Sequence, residues 1–232
     1  MKIYLLTALV FGLLLLGLNA KADTVKVAII DTGFSGLYAT PRTRKSLCKT
    51  GHFDFTTNTP NIGFDEIGHG SFVSNLVIET AKVKRVCLLI YKVNAYVNPR
   101  TRNHITKALL RAKNNGAQAV NISMGESNYF HGERAALRIL GKAGIKVFVA
   151  SGNDSADLNR ACNIFPACYD DLSGNLLRVG ARDRSGLLEA YGNKGLKVQL
   201  YEYGSIINIG RGTSFAAPRA AGKYLRETYG KN

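Results

Sequence analysis

The sequence predicts an α/β fold of three layers, a mostly parallel sheet with helices on both faces. Three observations carry that expectation. Five short runs rich in β-branched residues recur along the chain, each nearly continuous in apolar character, as strands covered on both faces must be. Longer segments with helical spacing lie between them, two of which stop on glycine. Strand and helix alternate, the order that crossover helices on a parallel sheet produce.

The elements follow in order. VKVAIID (25–31) is a buried strand closing on an acid, and HGSFVSNLVIETA opens a helix at His69. RVCLLIYKV (85–93) is the second strand; NHITKALLRAKNNG (103–116) is a helix stopping at Gly116. AVNISMG (119–125) is a strand, GERAALRILGKAG (132–144) a helix stopping at Gly144, and KVFVASGN (146–153) and LLRVGARD (176–183) are strands. A last helix begins in GRGTSFAAPRAAGKYL (210–225). Its Pro218 is expected within the first turns, where a missing N–H costs least. Open parallel sheets gather their chemistry at the carboxyl ends of the strands, which here offer Asp31, Ser123, Met124, Gly125, Gly152 and Asn153.

The first 22 residues read as a signal peptide: Lys2, an apolar run over residues 3–18, then Ala20-Lys21-Ala22 as a small-x-small cleavage site. The rest, 23–232, is expected to be a single domain, exported to the periplasm or the medium. A lone membrane anchor is the alternative, disfavoured because the run falls just short of the ~20 residues a bilayer needs. Export makes the four cysteines candidates for disulfides. Cys162 and Cys168 bracket the short loop NIFPA and are expected to pair, leaving Cys48 with Cys87; free buried thiols remain the other possibility. Neither Cys-x-x-Cys nor His-Glu-x-x-His occurs, so no zinc site, metal or cofactor is expected.

The formal charge is +15; removing Lys2 and Lys21 leaves 29 basic against 16 acidic residues, or +13. Such a surface is drawn to anionic polymers and lipids. Only PRTRKSLCK (41–49) and KVKR (82–85) form local clusters, and neither interleaves aromatic residues as a single-strand platform does. Specific nucleic-acid binding is therefore not expected, and the charge reads as solubility and tethering.

Four motifs combine into one chemistry. Asp31 lies in DTG, His69 in GHGSFVS, Asn153 in SGND and Ser214 in GTSFAAP. A serine hydroxyl attacks a carbonyl only if an imidazole takes its proton and a carboxylate steadies that imidazole. The developing oxyanion needs aimed donors, for which the Asn153 side chain and the Ser214 N–H at a helix start qualify. DTG alone is weak, because aspartic proteases use it too, but they need a second copy that is absent. Together the motifs resemble the subtilisin family of serine peptidases, in the order Asp, His, Ser, over essentially the whole mature chain, from Asp31 to Gly222.

That resemblance implies a subtilisin-like fold and a serine endopeptidase working through an acyl-enzyme, with Asp31, His69 and Ser214 as the triad. It also implies a specificity pocket between Ser123, Met124 and Gly125 on one side and Ala150, Ser151 and Gly152 on the other. Asp154 would stand at the rim and favour a basic substrate residue. His52, His104 and His131 are expected in solvated loops. No calcium-binding loop interrupts the segment after His69, and only residues 23–30 separate the expected cleavage site from Asp31, too few for the pro-region of familiar secreted members. A narrow-specificity processing protease acting on a peptide or protein is the expectation, folding as a monomer, alone or with a separate chaperone or inhibitor chain. A catalytically silent peptide-binding or regulatory module and an ester or amide hydrolase are the alternatives.

Overall fold

The computed structural model describes residues 24–94, 99–170 and 174–230. The expected signal peptide and its cleavage point lie outside the described residues. A seven-stranded parallel sheet is built from β1 (Val25–Asp31), β2 (Phe53–Asp54), β3 (Val86–Lys92), β4 (Ala119–Ile122), β5 (Lys146–Ala150), β6 (Leu176–Arg182) and β7 (Leu200–Tyr203), in the order β2-β3-β1-β4-β5-β6-β7. A small antiparallel hairpin, β8 (Ser205–Ile206) with β9 (Gly210–Arg211), stands apart. The helices are α1 (Pro41–Lys45), α2 (His69–Ala81), α3 (Pro99–Asn114), α4 (His131–Lys142) and α5 (Thr213–Tyr229).

The three layers follow from the two-residue period of a strand. Along β1, Ala28 and Ile30 face one core with Leu109 and Ala112 of α3 and Leu140 of α4. Val27 and Ile29 face the other, with Val73 and Val77 of α2 and Ala217 and Ala221 of α5. Both faces are covered, hence the continuous apolar runs. Small residues let α2 and α5 approach closely: a Cβ on Gly222 would lie 2.7 Å from both Thr80 Cβ and the Val77 carbonyl oxygen. This approach sets the first turns of α2 and α5, which carry His69 and Ser214, side by side.

Several boundaries differ from expectation. β4 stops at Ile122 and β5 at Ala150, so Ser123, Met124 and Gly125, and Ser151, Gly152 and Asn153, run on past the strand ends; of these, Ser151 still donates its N–H to the Val179 carbonyl of β6 at 3.0 Å. The glycine stops hold: Gly116 and Gly144, with φ of 72° and 73°, follow α3 and α4 in the left-handed region. α3 starts earlier than read, at Pro99, a residue suited to a first helical position. The short α1, β2 and hairpin, and β7 with its half-buried LYEY, carried too little periodicity to be read.

The chain leaves β1 for β3 on one side, then crosses back to β4 on the other, making a switch point between the carboxyl ends of β1 and β4. Asp31 and Ser123 sit there. Both expected disulfides are present, Cys48–Cys87 and Cys162–Cys168. No helix among the described residues is long and apolar enough to cross a membrane.

Candidate active site

Asp31 ends β1 and is 1% exposed. Its Oδ1 accepts from the Thr32 N–H at 2.8 Å and pairs with His69 Nδ1 at 2.7 Å. His69 opens α2 and keeps 27% of its side chain exposed. Burial pushes its pKa down, but the Asp31 charge and hydrogen bond, with the further charge of Asp65, outweigh that and hold it above 6.5. With Nδ1–H donated to the carboxylate, Nε2 faces outward as an acceptor. The ring lies 5.6 Å from that of Phe215, Ser214's neighbour. Among the described residues no hydrogen bond joins His69 to Ser214; in resting hydrolases that bond is commonly long and tightens with substrate.

Asp65 was missed by the sequence reading and organises this corner. Fully buried, it accepts from Thr32 Oγ1 at 2.8 Å and the Gly68 N–H at 2.9 Å through Oδ1. Its Oδ2 accepts from the Ser71 N–H and hydroxyl at 2.9 and 2.7 Å. Thr32 Oγ1 in turn accepts from the Gly70 N–H at 3.0 Å. The carboxylate thus takes the Gly68 and Ser71 N–H groups at the start of α2, Thr32 takes that of Gly70, and together they tie the DTG turn to the loop carrying His69. The available signal was an acid four residues before the histidine, in DEIGHG.

Pro218 has a role different from the one expected. It is the sixth residue of α5, beyond the turn whose N–H groups are free anyway. The carbonyl it leaves without an i+4 donor is that of Ser214. Ser123 Oγ donates to this carbonyl at 2.8 Å, and Asn121 Nδ2 donates to Ser123 Oγ at 2.9 Å. The proline therefore frees an acceptor by which Ser123, the residue after β4, grips the backbone of the candidate nucleophile.

Asn153 is held through its side-chain oxygen, which accepts from the Thr213 N–H at 2.8 Å and the Thr213 hydroxyl at 3.1 Å. Thr213 Oγ1 accepts from the Gly152 N–H at 3.1 Å. The position a Gly212 Cβ would occupy lies 3.3 Å from Asn153 Nδ2 and 3.1 Å from Ser214 Oγ. Gly212 has φ of 169°, extended backbone open to any residue. Space rather than backbone conformation demands glycine there: a methyl group would sit between hydroxyl and amide.

Beside Ser214 opens a cleft of about 190 Å³. Ser123, Met124 and Gly125 line one wall and Ala150, Gly152 and Asp154 the other, as expected. Ser151 does not line it. Strand alternation turns its side chain inward, where the hydroxyl donates to the Asn193 carbonyl at 3.0 Å. Asp154 is exposed, its Oδ2 accepting from Asn193 Nδ2 at 3.0 Å. Asn193, also unread from sequence, accepts from the Asp154 and Ala156 N–H groups at 3.0 and 2.9 Å and so shapes this loop. Ile164 completes the lining. It arrives on the Cys162–Cys168 loop, which pairs with the opposite wall through Glu126 and Phe165 at 2.9 and 2.7 Å.

One expectation about histidine fails. His52 is 8% exposed. Its Nδ1 accepts from the Ile90 N–H at 3.0 Å, which makes Nε2 the donor to the Cys48 carbonyl at 2.7 Å. A turn that looked solvated is folded under β3, and the imidazole replaces a missing ladder partner. His104 is half-buried against Phe55, and only His131 is solvated as read.

An α/β sheet with an Asp–His pair, a serine at a helix start and a fixed side-chain amide at one rim carries the set of groups that serine hydrolases use. The chain belongs to the subtilase family, whose pattern it matches over residues 22–226. It is 31% identical over 215 residues to alkaline elastase YaB of Bacillus sp. (strain YaB), covering 85% of this chain and 52% of that protein. It is 28% identical over 214 residues to subtilisin Savinase of Lederbergia lenta, covering 85% and 74%. The chain thus spans about half the length of the elastase. Solved structures agree in fold: a lanthipeptide protease with a TM-score of 0.73 at 22% identity (89% of this chain, 75% of that one), and the nisin leader peptidase of Lactococcus lactis with 0.68 at 19% (90% and 79%).

Proposed function

We propose that this protein is an exported serine endopeptidase in which Ser214 is the nucleophile, His69 the general base and then acid, and Asp31 the residue that holds the imidazole. Ser214 Oγ attacks the substrate carbonyl carbon as its proton passes to His69 Nε2. The oxyanion forms beside Gly212, stabilised by Asn153 Nδ2–H and the Ser214 N–H at the positive end of α5. Collapse breaks the C–N bond, His69 returns the proton to the leaving amine, and an acyl-enzyme remains on Ser214. Water, deprotonated by His69, attacks the acyl carbon; the ester C–O bond then breaks as His69 returns the proton to Ser214 Oγ, and the acid is released. The observation that carries this reading is the 2.7 Å Asp31–His69 contact, with Ser214 Oγ and Asn153 Nδ2 converging on one point beside Gly212.

The substrate backbone pairs with the edge at Ser123, Met124 and Gly125, and one medium-sized side chain enters the cleft. A cleft of only about 190 Å³ suits selective cleavage of a defined peptide over digestion. Two fold neighbours bear the names lanthipeptide protease and nisin leader peptidase, so single-peptide processing is within this fold's range. Two disulfides fit an oxidising compartment, and the apolar residues 3–18 fit export.

A fluorophosphonate probe should label the protein at Ser214, and Ser214→Ala should abolish labelling and lower turnover by about a million-fold. No labelling of folded protein would instead mark a silent binding module. Rapid, indiscriminate digestion of casein would refute narrow specificity while leaving the serine chemistry standing.

A further inference from the structure

We propose that the end of the sheet opposite the active site is a docking face for anionic membrane lipid, centred on a cleft that two distant basic segments build together. The segments are PRTRKSLCK (41–49) and KVKR (82–85), neither of which contains an acid. In the fold they converge. Arg42, Lys45 and Ser46 beside α1 meet Val83, Lys84 and Val86 on the turn into β3, lining one open cleft of about 500 Å³. The Cys48–Cys87 disulfide bonds the first segment to β3, two residues past the end of the second, and the Leu88 N–H donates to the Ser46 carbonyl at 2.8 Å. The cations are therefore held in register by structure rather than meeting by chance.

Arg42, Lys45 and Lys84 are all exposed, and among the described residues none has an acidic partner. Like charges assembled in one place repel, and an anionic surface relieves that repulsion. The face extends beyond the cleft: Lys26 near the start of β1, Lys146 at the start of β5, and Lys113 and Lys142 at the ends of α3 and α4 lie at the same end of the sheet. Acids there include Glu79 and Glu227, near the ends of α2 and α5. Cations on the last turn of a helix complement its dipole, which accounts for Lys113 and Lys142. It does not account for Lys84, which lies on no helix.

Position argues for lipid. The 13 residues of α2 separate His69 at the catalytic rim from Ala81 beside the cleft, roughly 20 Å at 1.5 Å per residue. The cleft therefore lies about six extended residues away from the rim and is not part of the pocket beside Ser214. The chain also enters the fold here. Val25 pairs with Val86, and residues 19–24 alone separate β1 from the apolar run at 3–18. A chain delivered to a bilayer by that run presents this basic end to the headgroups and turns its catalytic rim away. Binding here would keep the enzyme at the membrane surface with its active site open to soluble peptides.

The test is sedimentation with vesicles, using the Ser214→Ala chain so that self-cleavage does not intervene and the result is independent of the serine reading. The chain should bind vesicles of phosphatidylglycerol mixed with phosphatidylcholine, ignore pure phosphatidylcholine, and be released by high salt. The triple change Arg42→Gln, Lys45→Gln, Lys84→Gln should lower binding about a hundredfold, at roughly fivefold for each basic residue near an anionic surface. Placed in the active chain, it should leave cleavage of a soluble peptide unchanged. The control triple Arg138→Gln, Lys194→Gln, Lys197→Gln makes the same charge change elsewhere and should keep most of the binding. If the cleft triple fails to fold, Lys84→Gln alone should still lower binding about fivefold. Undiminished binding by the cleft variants, equal loss in the control, or binding to heparin but not to vesicles would each overturn the proposal, the last in favour of an acidic glycan.

Discussion

His69 and His52 are two imidazoles largely withdrawn from solvent within one domain, and their surroundings drive them in opposite directions. His69 faces a carboxylate 2.7 Å away, so its charged form is favoured despite burial. His52 faces backbone groups: burial pushes its pKa down, and the Cys48 carbonyl offsets only part of this. The first ring gains a proton during the proposed reaction and loses it again. The second is wired as a neutral strut, one nitrogen donating and the other accepting. Burial alone does not make a histidine a base; a partner that stabilises the cation does.

Among changes that bear on this contrast between the two rings, removing that partner should have the largest effect. Asp31→Asn keeps the shape but presents the wrong tautomer, and kcat should fall about ten-thousand-fold with little change in melting temperature; single-turnover assays measure it. Gly212→Ala should come next. Its methyl group would crowd the oxyanion position and cost about a hundredfold to a thousandfold in kcat, comparable to losing one oxyanion donor, with KM less affected. His52→Ala should reverse the pattern. It strands the Ile90 N–H and the Cys48 carbonyl, so urea denaturation should show a loss of about 1–3 kcal/mol, while kcat per folded molecule stays near the parent value.

The subtlest separation is in pH dependence. Activity needs neutral His69, so kcat/KM should rise with pH along a limb centred above 6.5. The stabilising contribution of His69, whose folded pKa is raised, is full below 6.5 and is lost as pH rises through its folded value. His52 has the opposite sign. Its contribution is full above 6.5 and is lost as pH falls from there toward its lower folded value, because the unfolded chain takes up a proton the folded chain resists. Melting curves of His52→Ala should show a weaker decline on acidification than those of the parent; an identical decline would remove His52 from the account.

Much of this was legible without coordinates. The continuous apolar runs at 25–31 and 146–150 announced strands covered on both faces, and the glycines at 116 and 144 marked helix ends, because these are local consequences of backbone period and of φ. The acid, imidazole, amide and hydroxyl were legible because each stands in a short motif at a strand end or helix start. What stayed hidden were partnerships between residues far apart in the chain. Nothing local in Asn121-Ile122-Ser123 indicates that this serine receives the carbonyl Pro218 leaves free 91 residues from it. Nothing local in KTGHF distinguishes a solvated histidine from one folded under β3. Asp65, Asn193, Ile164 and the meeting of two basic segments are of the same kind. The sequence by itself determined which of the longer segments are strands and helices and which chemical groups the protein carries, since period and composition act over a few residues. Only the tertiary structure decided which polar groups are buried together and therefore how each is charged, because desolvation and pairing depend on neighbours that the order of the chain does not name.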